Sequence, residues 1–395
     1  MKKVILIFLI LPLPALAQLS SYEINGYVKY LFSTTEFPLI RNNRLNDHLI
    51  HTRINTRCYP TESLTAALEL RLREYYGGSV EKIPGFKDQI TDQYDDPKLA
   101  VEFCNKKKSF GYGQVDRLFL DYTRGNLQAT IGRQRVAWGT ALVWNVIDLF
   151  NPLSILDYDY EERPGADALR LQYYTGVVSK LELVAKPGET KYKKTIAGLW
   201  SINAAGYDYF IIAGIRKNRK LFGGAWAGDI AGAGFRGEFI ISDAPNKGAP
   251  TVNLVPHQYG ESITDGDKPV ASFVLSADYT FSNSFYIHAE TVYNNNGKKK
   301  NAGIFWKQSQ QADMLSPARW SIFQEFSYNI TPLIRASIFG IFNPDDFSYI
   351  VMPSATWSVV TNLDLMLIAY YSDGDPLTEW GDAGNAFITR LKYSF

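Results

Sequence analysis

The residues of this sequence that are best suited to chemistry are arginines that alternate with apolar residues. They lie in the segments RINTR, LELRLRE, DRLFLD, GRQRVAW and LRLQ, and they are Arg53, Arg57, Arg71, Arg73, Arg117, Arg133, Arg135 and Arg170. A guanidinium group stays charged and grips carboxylates or phosphates through two parallel hydrogen bonds. These arginines therefore either form a surface that binds anionic solutes or pair with acidic residues of the same chain, and the two alternatives are compatible.

A second set of candidate residues lies between two of these arginine segments, in residues 139–165. This stretch is rich in apolar residues, and it carries the acids Asp148, Asp157, Asp159, Glu161 and Glu162. An apolar stretch of this length is stabilised when it packs against another surface, because its apolar area leaves water. We expect a loop that folds inward and sets its acids opposite the arginines, which would create a transverse field across a constriction. A lid on neighbouring loops or a subunit contact is the alternative.

The elements that would position these residues are strands, because apolar and polar residues alternate with a period of two along most of the chain. About eighteen segments of roughly ten residues show this alternation, from EINGYVKYLF to NAFITRLKYSF. Sixteen strands is the nearest alternative count. Beyond the N-terminal segment, no apolar run approaches the roughly 18 residues that a membrane helix needs.

The connections between these segments alternate in length. Short turns such as TRGN and NAAG alternate with a set that is mostly long, including residues 37–47, 78–113, 139–165, 244–269, 296–318 and 374–384. Strands of about ten residues joined in this way are typical of a transmembrane antiparallel β-barrel of the outer membrane. A soluble sandwich or propeller is the alternative. An even number of strands would place both termini on the short-turn, periplasmic side.

The two ends of the chain support the barrel. Residues 1–17 combine Lys2 and Lys3 with an apolar run that ends in small residues, which predicts a signal peptide removed near Ala17 and Gln18. Residues 18–395 would then form a single barrel. The last strand must pair with the first, because a sheet that crosses lipid cannot leave an open edge. Phe395 would end that strand in the aromatic girdle at the membrane interface.

The phase of the alternation predicts which side chains face the lumen. Arg53 and Arg57 would point inward with Ile54 outward, and Arg117 inward with Leu118 outward. The later strands place acids inward, namely Glu238, Asp278, Glu290, Glu325 and Asp364. We therefore expect a polar lumen in which a basic wall faces a more acidic one.

Composition excludes several function classes. With 41 basic and 40 acidic residues, the chain has no charge excess that would suggest a nucleic-acid partner. Two cysteines, Cys58 and Cys104, are too few for a disulfide scaffold. His288 and Glu290 share an inward face, but the sequence identifies no serine beside them. We expect neither an enzyme nor a cofactor.

Two segments resemble known families. GRQRVAWGTALVWNVIDLFNP, residues 132–152, is similar to a strand-and-loop motif of porin-like outer-membrane barrels akin to alginate-export barrels. The resemblance implies a monomeric barrel that passes a polar or anionic solute. FITRLKYSF, ending in Phe395, resembles the C-terminal signal that the barrel-assembly machinery recognises in bacterial outer-membrane proteins.

The sequence as a whole predicts an outer-membrane, porin-like channel for passive diffusion of small polar, anionic solutes. Its partners would be membrane lipid, the assembly machinery, and surface saccharide contacted by loop lysines. One alternative is a barrel that houses or docks a partner protein of an export or redox complex. A second is an outer-membrane hydrolase that depends on His288.

Overall fold

The computed structural model describes residues 21–36, 44–91, 99–150, 159, 162, 165–245 and 268–395. The predicted signal peptide, Asp157 and Glu161 lie outside these described residues. Within them the chain forms one antiparallel sheet of nineteen strands.

Consecutive strands pair antiparallel, except that the strand before the short strand Ala100–Asn105 pairs with the strand after it. Their bounds are β1 Tyr22–Glu36, β2 Arg44–Thr61, β3 Leu64–Gly77, β4 Ala100–Asn105, β5 Ser109–Arg124, β6 Leu127–Gln134, β7 Ala166–Tyr174, β8 Lys180–Lys186, β9 Thr195–Ala204, β10 Tyr207–Arg216, β11 Arg219–Ile230, β12 Ala233–Ser242, β13 Val270–Thr280, β14 Phe285–Asn294, β15 Trp320–Thr331, β16 Ile334–Phe342, β17 Tyr349–Val360, β18 Leu363–Asp373 and β19 Asn385–Ser394.

The sheet closes into a barrel because β19 pairs with β1 along its whole length, from Asn385 opposite Glu36 to Ser394 opposite Tyr27. Phe395 completes this seam between β19 and β1. The N–H of Phe395 donates to the carbonyl of Gly26 at 2.9 Å, and the N–H of Gly26 donates to the carbonyl of Phe395 at 3.0 Å. A Cβ at residue 26 would lie 2.2 Å from the carbonyl oxygen of Arg53, so only glycine fits this close pairing. A closed barrel leaves no strand edge exposed.

Eighteen of the nineteen strands form the wall, which confirms the predicted barrel and its strand number. The remaining strand, β4, was not predicted. It pairs with the first half of β5, while β6 pairs with the second half. β4 thus extends the sheet beyond the end of β6. We call the end of the barrel that carries the short turns the turn end, and the opposite end the loop end. The start of β1 and the finish of β19 both lie at the turn end.

The described helices are short and lie in loop-end connections. They are α1 Gly78–Lys82, α2 Phe86–Thr91 and α3 Trp306–Gln311, with a 3-10 helix at Ala302–Phe305 immediately before α3. None of the helices in the described part of the chain has the length and apolar character needed to cross a membrane.

The outer surface carries large apolar side chains in the predicted phase. Ile54, Leu118, Leu120 and Tyr122 are exposed on the outside, whereas Arg53 is buried on the inside. This outward apolar band is the surface that a transmembrane barrel presents to lipid.

The interior is not polar throughout, and that part of the sequence prediction is wrong. A cluster of buried apolar residues lies in the loop-end half of the lumen, where residues 136–150 pack against inward side chains from much of the wall. Val184, Ile212, Val274 and Val292 in this wall are fully buried. The inward loop is itself apolar, so the wall it contacts must also be apolar if both surfaces are to leave water.

Candidate constriction site

The chain leaves the wall at the end of β6. The strand ends at Gln134, whose side-chain amide donates to the carbonyls of Thr130 and Ala168 at 3.1 and 3.0 Å. The predicted strand continued to Trp138, and this extent is wrong. As a consequence Arg135 lies beyond the strand and is exposed rather than fixed on the inward face.

The first turn of the inward loop explains the glycine and tryptophan of the motif. Gly139 has a φ of 122°, and a Cβ there would lie 2.2 Å from Oδ1 of Asn145. That backbone conformation suits glycine and is strained for other residues. The Trp138 indole N–H donates to Oε1 of Glu182 on β8 at 2.8 Å, and its ring meets Phe150 edge-on at 5.1 Å. These contacts turn the chain into the lumen.

Glu238 on β12 holds the loop to the far side of the barrel, which the strands β7 to β11 separate from β6. Its carboxylate accepts the backbone N–H of Thr140, that of Ala141 at 2.8 Å and that of Ile147 at 3.3 Å. Glu238 is fully buried. A loop without regular structure has backbone N–H groups that need partners when buried, and this carboxylate supplies them.

Glu290, which lies on β14 two strands beyond Glu238, binds the same loop. It accepts the N–H groups of Leu142 at 3.0 Å, Val143 at 3.2 Å and Trp144 at 2.6 Å. Two carboxylates on the far wall therefore bind the backbone of residues 140–147. The sequence phase had placed both glutamates inward but gave no indication of what they would contact.

The arginines lie on strands from β2 to β7, which we call the near wall, and Arg53 on β2 lies at the centre of their charge network. Its guanidinium pairs with Asp116 of β5 and with Glu69 of β3, and all three side chains are buried. Sequence analysis missed Asp116. A bulge in β5 opposite Glu69 and Leu70 makes Asp116 an extra residue, so both Asp116 and Arg117 point inward, which strict alternation forbids.

The neighbouring arginines are paired in the same way. Arg71 lies 3.1 Å from Oδ1 of Asp116 and donates to the side-chain carbonyl of Gln114 at 2.9 Å. Arg117 lies 3.3 Å from Oε2 of Glu69. Burial of an unpaired charge costs free energy. The buried acids beside these arginines offset that cost.

Asp159 is the loop residue that contacts this wall most closely. Its carboxylate lies 2.6 Å from Arg73, 2.8 Å from Nδ1 of His51 and 3.3 Å from Lys29. Burial alone would raise the pKa of Asp159, but the charge of Arg73, the His51 contact and Lys29 together hold that pKa well below its usual range. Asp159 therefore stays ionised and fixes the loop to the basic wall.

The other loop acids take different positions. Glu162 accepts a hydrogen bond from the Tyr27 hydroxyl at 2.9 Å and lies 3.6 Å from Arg53. Asp148 is buried and accepts the N–H of Phe150 at 3.4 Å. Of the acids predicted to oppose the arginines, Asp159 and Glu162 contact the near wall directly.

The remaining arginines of the predicted set are spread around the near side. Arg133 is buried, pairs with Asp167 at 2.8 Å and donates to the carbonyl of Val115 at 2.9 Å. Arg170 pairs with Glu182 at 2.7 Å. Arg57 lies toward the turn end of β2 and is exposed.

His288 has a serine partner that the sequence did not identify. Oγ of Ser276, on the adjacent strand, lies 3.0 Å from Nε2 of His288. The nearest acid to Nδ1 is Glu325, at 4.0 Å, which is too long for a hydrogen bond. Ser276 and His288 are both 1% exposed. A nucleophile needs an oriented base and access for substrate, and this set provides neither.

Cys58 and Cys104 are free thiols. Within the described ranges, no group of three or more His, Cys, Asp and Glu side chains could hold a metal ion.

Comparison with known proteins relates this barrel to solved outer-membrane proteins. No protein-family model matches the chain, and no curated protein matches it in sequence. The crystal structure of the outer membrane protein OprD from Pseudomonas aeruginosa superposes with a TM-score of 0.57 at 10% identity, covering 95% of this chain and 94% of that chain. The barrel shares the OprD fold.

Two further crystal structures show the same likeness. Pseudomonas aeruginosa OccD3 (OpdP) gives a TM-score of 0.58 at 8% identity over 95% of this chain and 92% of its own. Acinetobacter baumannii OccAB4 gives 0.57 at 9% identity over 96% and 99%. The superposition covers nearly the whole of each barrel, and what the proteins share is the fold.

Proposed function

We propose that this protein is an outer-membrane channel through which small polar solutes, anions among them, diffuse passively. The observation that carries the proposal is the inward loop, which is bound to the far wall by Glu238 and Glu290 and to the near wall by Asp159 and Glu162. A loop fixed at both walls narrows the lumen and sets the size of the solutes that pass.

The turn-end half of the lumen supports passage of polar solutes. It carries inward charged side chains that are partly exposed, among them Arg117, Asp278, Glu325 and Arg335. A preference for anions is supported near the seam, where exposed Arg57 and partly exposed Arg390 and Lys392 lie on β2 and β19. The buried arginines contribute differently: their charges are matched by buried acids, so they stabilise the wall and the loop.

The proposal includes the topology of the protein in the envelope. Residues 1–17 direct secretion and are removed, residues 18–395 form the barrel, and both ends of the wall face the periplasm. The Phe395 strand is the signal for the barrel-assembly machinery, and lysines of the loop end contact surface saccharide. The likeness to OprD supports a porin-like barrel but not the resemblance of residues 132–152 to alginate-export barrels, so we extend no substrate from that resemblance.

A barrel that houses a partner protein is less well supported. Residues 136–150 and their apolar contacts occupy part of the loop-end half of the lumen, which leaves less space for such a partner. A hydrolase is likewise disfavoured, because Ser276 and His288 are buried without an acid in hydrogen-bonding distance of Nδ1.

Liposome swelling with solutes graded in size and charge tests the proposal. We expect vesicles with folded protein to admit small sugars and small carboxylates, to admit carboxylates faster than amines of equal size, and to exclude large oligosaccharides. The proposal is overturned if no solute enters vesicles in which a semi-native gel shows folded, inserted barrel.

A further inference from the structure

A cavity lies at the loop end, beside the apolar cluster that contains the inward loop and away from the basic wall. One side is formed by the 3-10 helix and α3 in the connection between β14 and β15, and the other by residues 377–383 between β18 and β19. The cavity encloses about 550 Å³. That volume falls within the roughly 300–1,000 Å³ of typical small-molecule sites.

The two sides of the cavity are fixed to each other. The N–H of Gly303 donates to the carbonyl of Leu377 at 3.0 Å across the two sides, and within the second side the N–H of Leu377 donates to Oδ2 of Asp382 at 2.8 Å. A Cβ on Gly303 would lie 2.2 Å from the carbonyl oxygen of Thr378, so the two segments are in close contact. A site held in this way is preformed, which lowers the entropy that a ligand must lose on binding.

Two indole rings form an aromatic corner in the cavity. Trp306 and Trp380 lie with ring centroids 5.5 Å apart and planes inclined at 63°. Trp380 is buried, and its indole Nε1 is a donor without a hydrogen-bond partner among the described residues. A buried donor that is left unpaired costs free energy, and a ligand oxygen would remove that cost.

The polar groups of the cavity exclude an anionic ligand. Among the described residues, its lining includes the amide of Gln310 and the carboxylate of Asp382 but no lysine, arginine or histidine. The other acid in the lining, Glu379, is already engaged by the hydroxyls of Ser316 at 2.7 Å and Ser321 at 3.1 Å. The cavity thus differs in chemistry from the arginine wall.

We propose that this cavity binds a small neutral saccharide, of one or two sugar rings. An indole face packs against the C–H face of a sugar ring, while the Trp380 N–H and the Gln310 amide offer donors, and Gln310 and Asp382 offer acceptors, for hydroxyl groups. Sugar binding is measured directly by calorimetry and solute passage by liposome swelling, so the two proposals can fail independently.

Isothermal titration calorimetry on the full chain, folded in detergent, tests the proposal. The probes are glucose, galactose, maltose and sucrose, with choline and succinate as a cation and an anion of comparable size. We expect at least one sugar to bind and both ions to give no heat. Absence of binding by all four sugars at millimolar concentration overturns the proposal.

Variants locate the binding. Trp306→Ala should weaken sugar binding roughly tenfold or more, because an indole face leaves the contact, and Trp306→Phe should restore part of it. Trp357→Ala is the matched control, because Trp357 is exposed on the outer wall. Unchanged sugar affinity in a folded Trp306→Ala barrel overturns the assignment.

Asp382→Asn separates a sugar from a cation. Asparagine keeps an acceptor for the N–H of Leu377 and removes the charge, so sugar binding should survive with a modest loss. Choline binding that disappears in this variant would instead identify a cation site and overturn the proposal.

Discussion

Trp144 donates its backbone N–H to the carboxylate of Glu290 at 2.6 Å, which joins the loop that leaves β6 to the far wall of the barrel. The same carboxylate accepts two neighbouring N–H groups, and Glu238 accepts three more. The path of the loop is therefore set by two acids on β12 and β14 rather than by regular structure of its own.

The double variant Glu238→Gln and Glu290→Gln should release this loop. A glutamine amide places donor hydrogens where the carboxylate accepted them, so buried N–H groups lose partners at about 1–3 kcal/mol each. Hydrogen exchange read by mass spectrometry should become faster in residues 140–147 than in the wild type.

Glu325→Gln is the matched control for this experiment. Glu325 is an inward acid on the adjacent strand β15, and it lies beside His288 and Arg335 rather than the loop. Exchange in residues 140–147 should stay at the wild-type rate. Equal protection in the double variant would contradict the role given to the two glutamates.

Arg53 and Arg57 should respond differently to substitution although they lie on one face of β2. Arg53→Met leaves Asp116 and Glu69 buried without their main partner and should cost about 3–5 kcal/mol of stability. Arg57→Gln removes an exposed charge, so stability should hold while the anion preference of the channel falls.

Thermal unfolding on semi-native gels measures the first effect, and the reversal potential under a salt gradient measures the second. The assignment is contradicted if Arg53→Met unfolds at the wild-type temperature, or if Arg57→Gln leaves the reversal potential unchanged.

Deletion of Phe395 should impair closure of the barrel. The deletion removes both hydrogen bonds to Gly26, which are the last at the turn end of the seam, and it removes an aromatic side chain from the interface. We expect a lower yield of folded barrel in refolding and in the outer-membrane fraction. Phe395→Tyr keeps the backbone and the ring and should assemble normally; equal assembly of the deletion would contradict this account.

Glu379 should make the loop end sensitive to alkaline pH. Its burial raises its pKa to about 8, against hydrogen bonds from Ser316 and Ser321 that favour the charged form. A carboxyl whose pKa is higher in the folded state contributes stability below its unfolded pKa of about 4.5, and that contribution is lost as pH rises through about 8.

The wild type should therefore lose thermal stability between about pH 5 and about pH 9, and Glu379→Gln should lose less over the same range. Circular dichroism melts at several pH values measure both slopes. Parallel slopes in the two proteins would contradict the contribution assigned to Glu379.

The wall could be predicted from the sequence because its signal is local. In many strands a lipid-facing side such as Ile54, Leu118 and Leu120 alternates with a polar side, and short turns alternate with longer connections. Strand number, closure by the Phe395 strand and the inward phase of Arg53 all follow from that alternation. β4 lies in a long connection and has too few residues to show the pattern.

The site was less predictable because it depends on contacts between distant residues. The bulge that turns Asp116 inward depends on pairing between β3 and β5, and the role of Glu238 depends on a loop that begins six strands earlier along the chain. The apolar half of the lumen was missed for the same reason, because alternation cannot show whether an inward position faces water or an inserted loop.

Single-channel conductance in a planar bilayer tests the central claim most directly, with the wild type and the Glu238→Gln, Glu290→Gln double variant compared side by side. The account predicts small, steady steps for the wild type and larger or fluctuating steps for the variant, because the loop that narrows the lumen is released. Equal conductance in the two folded proteins, or a silent wild type, would contradict it.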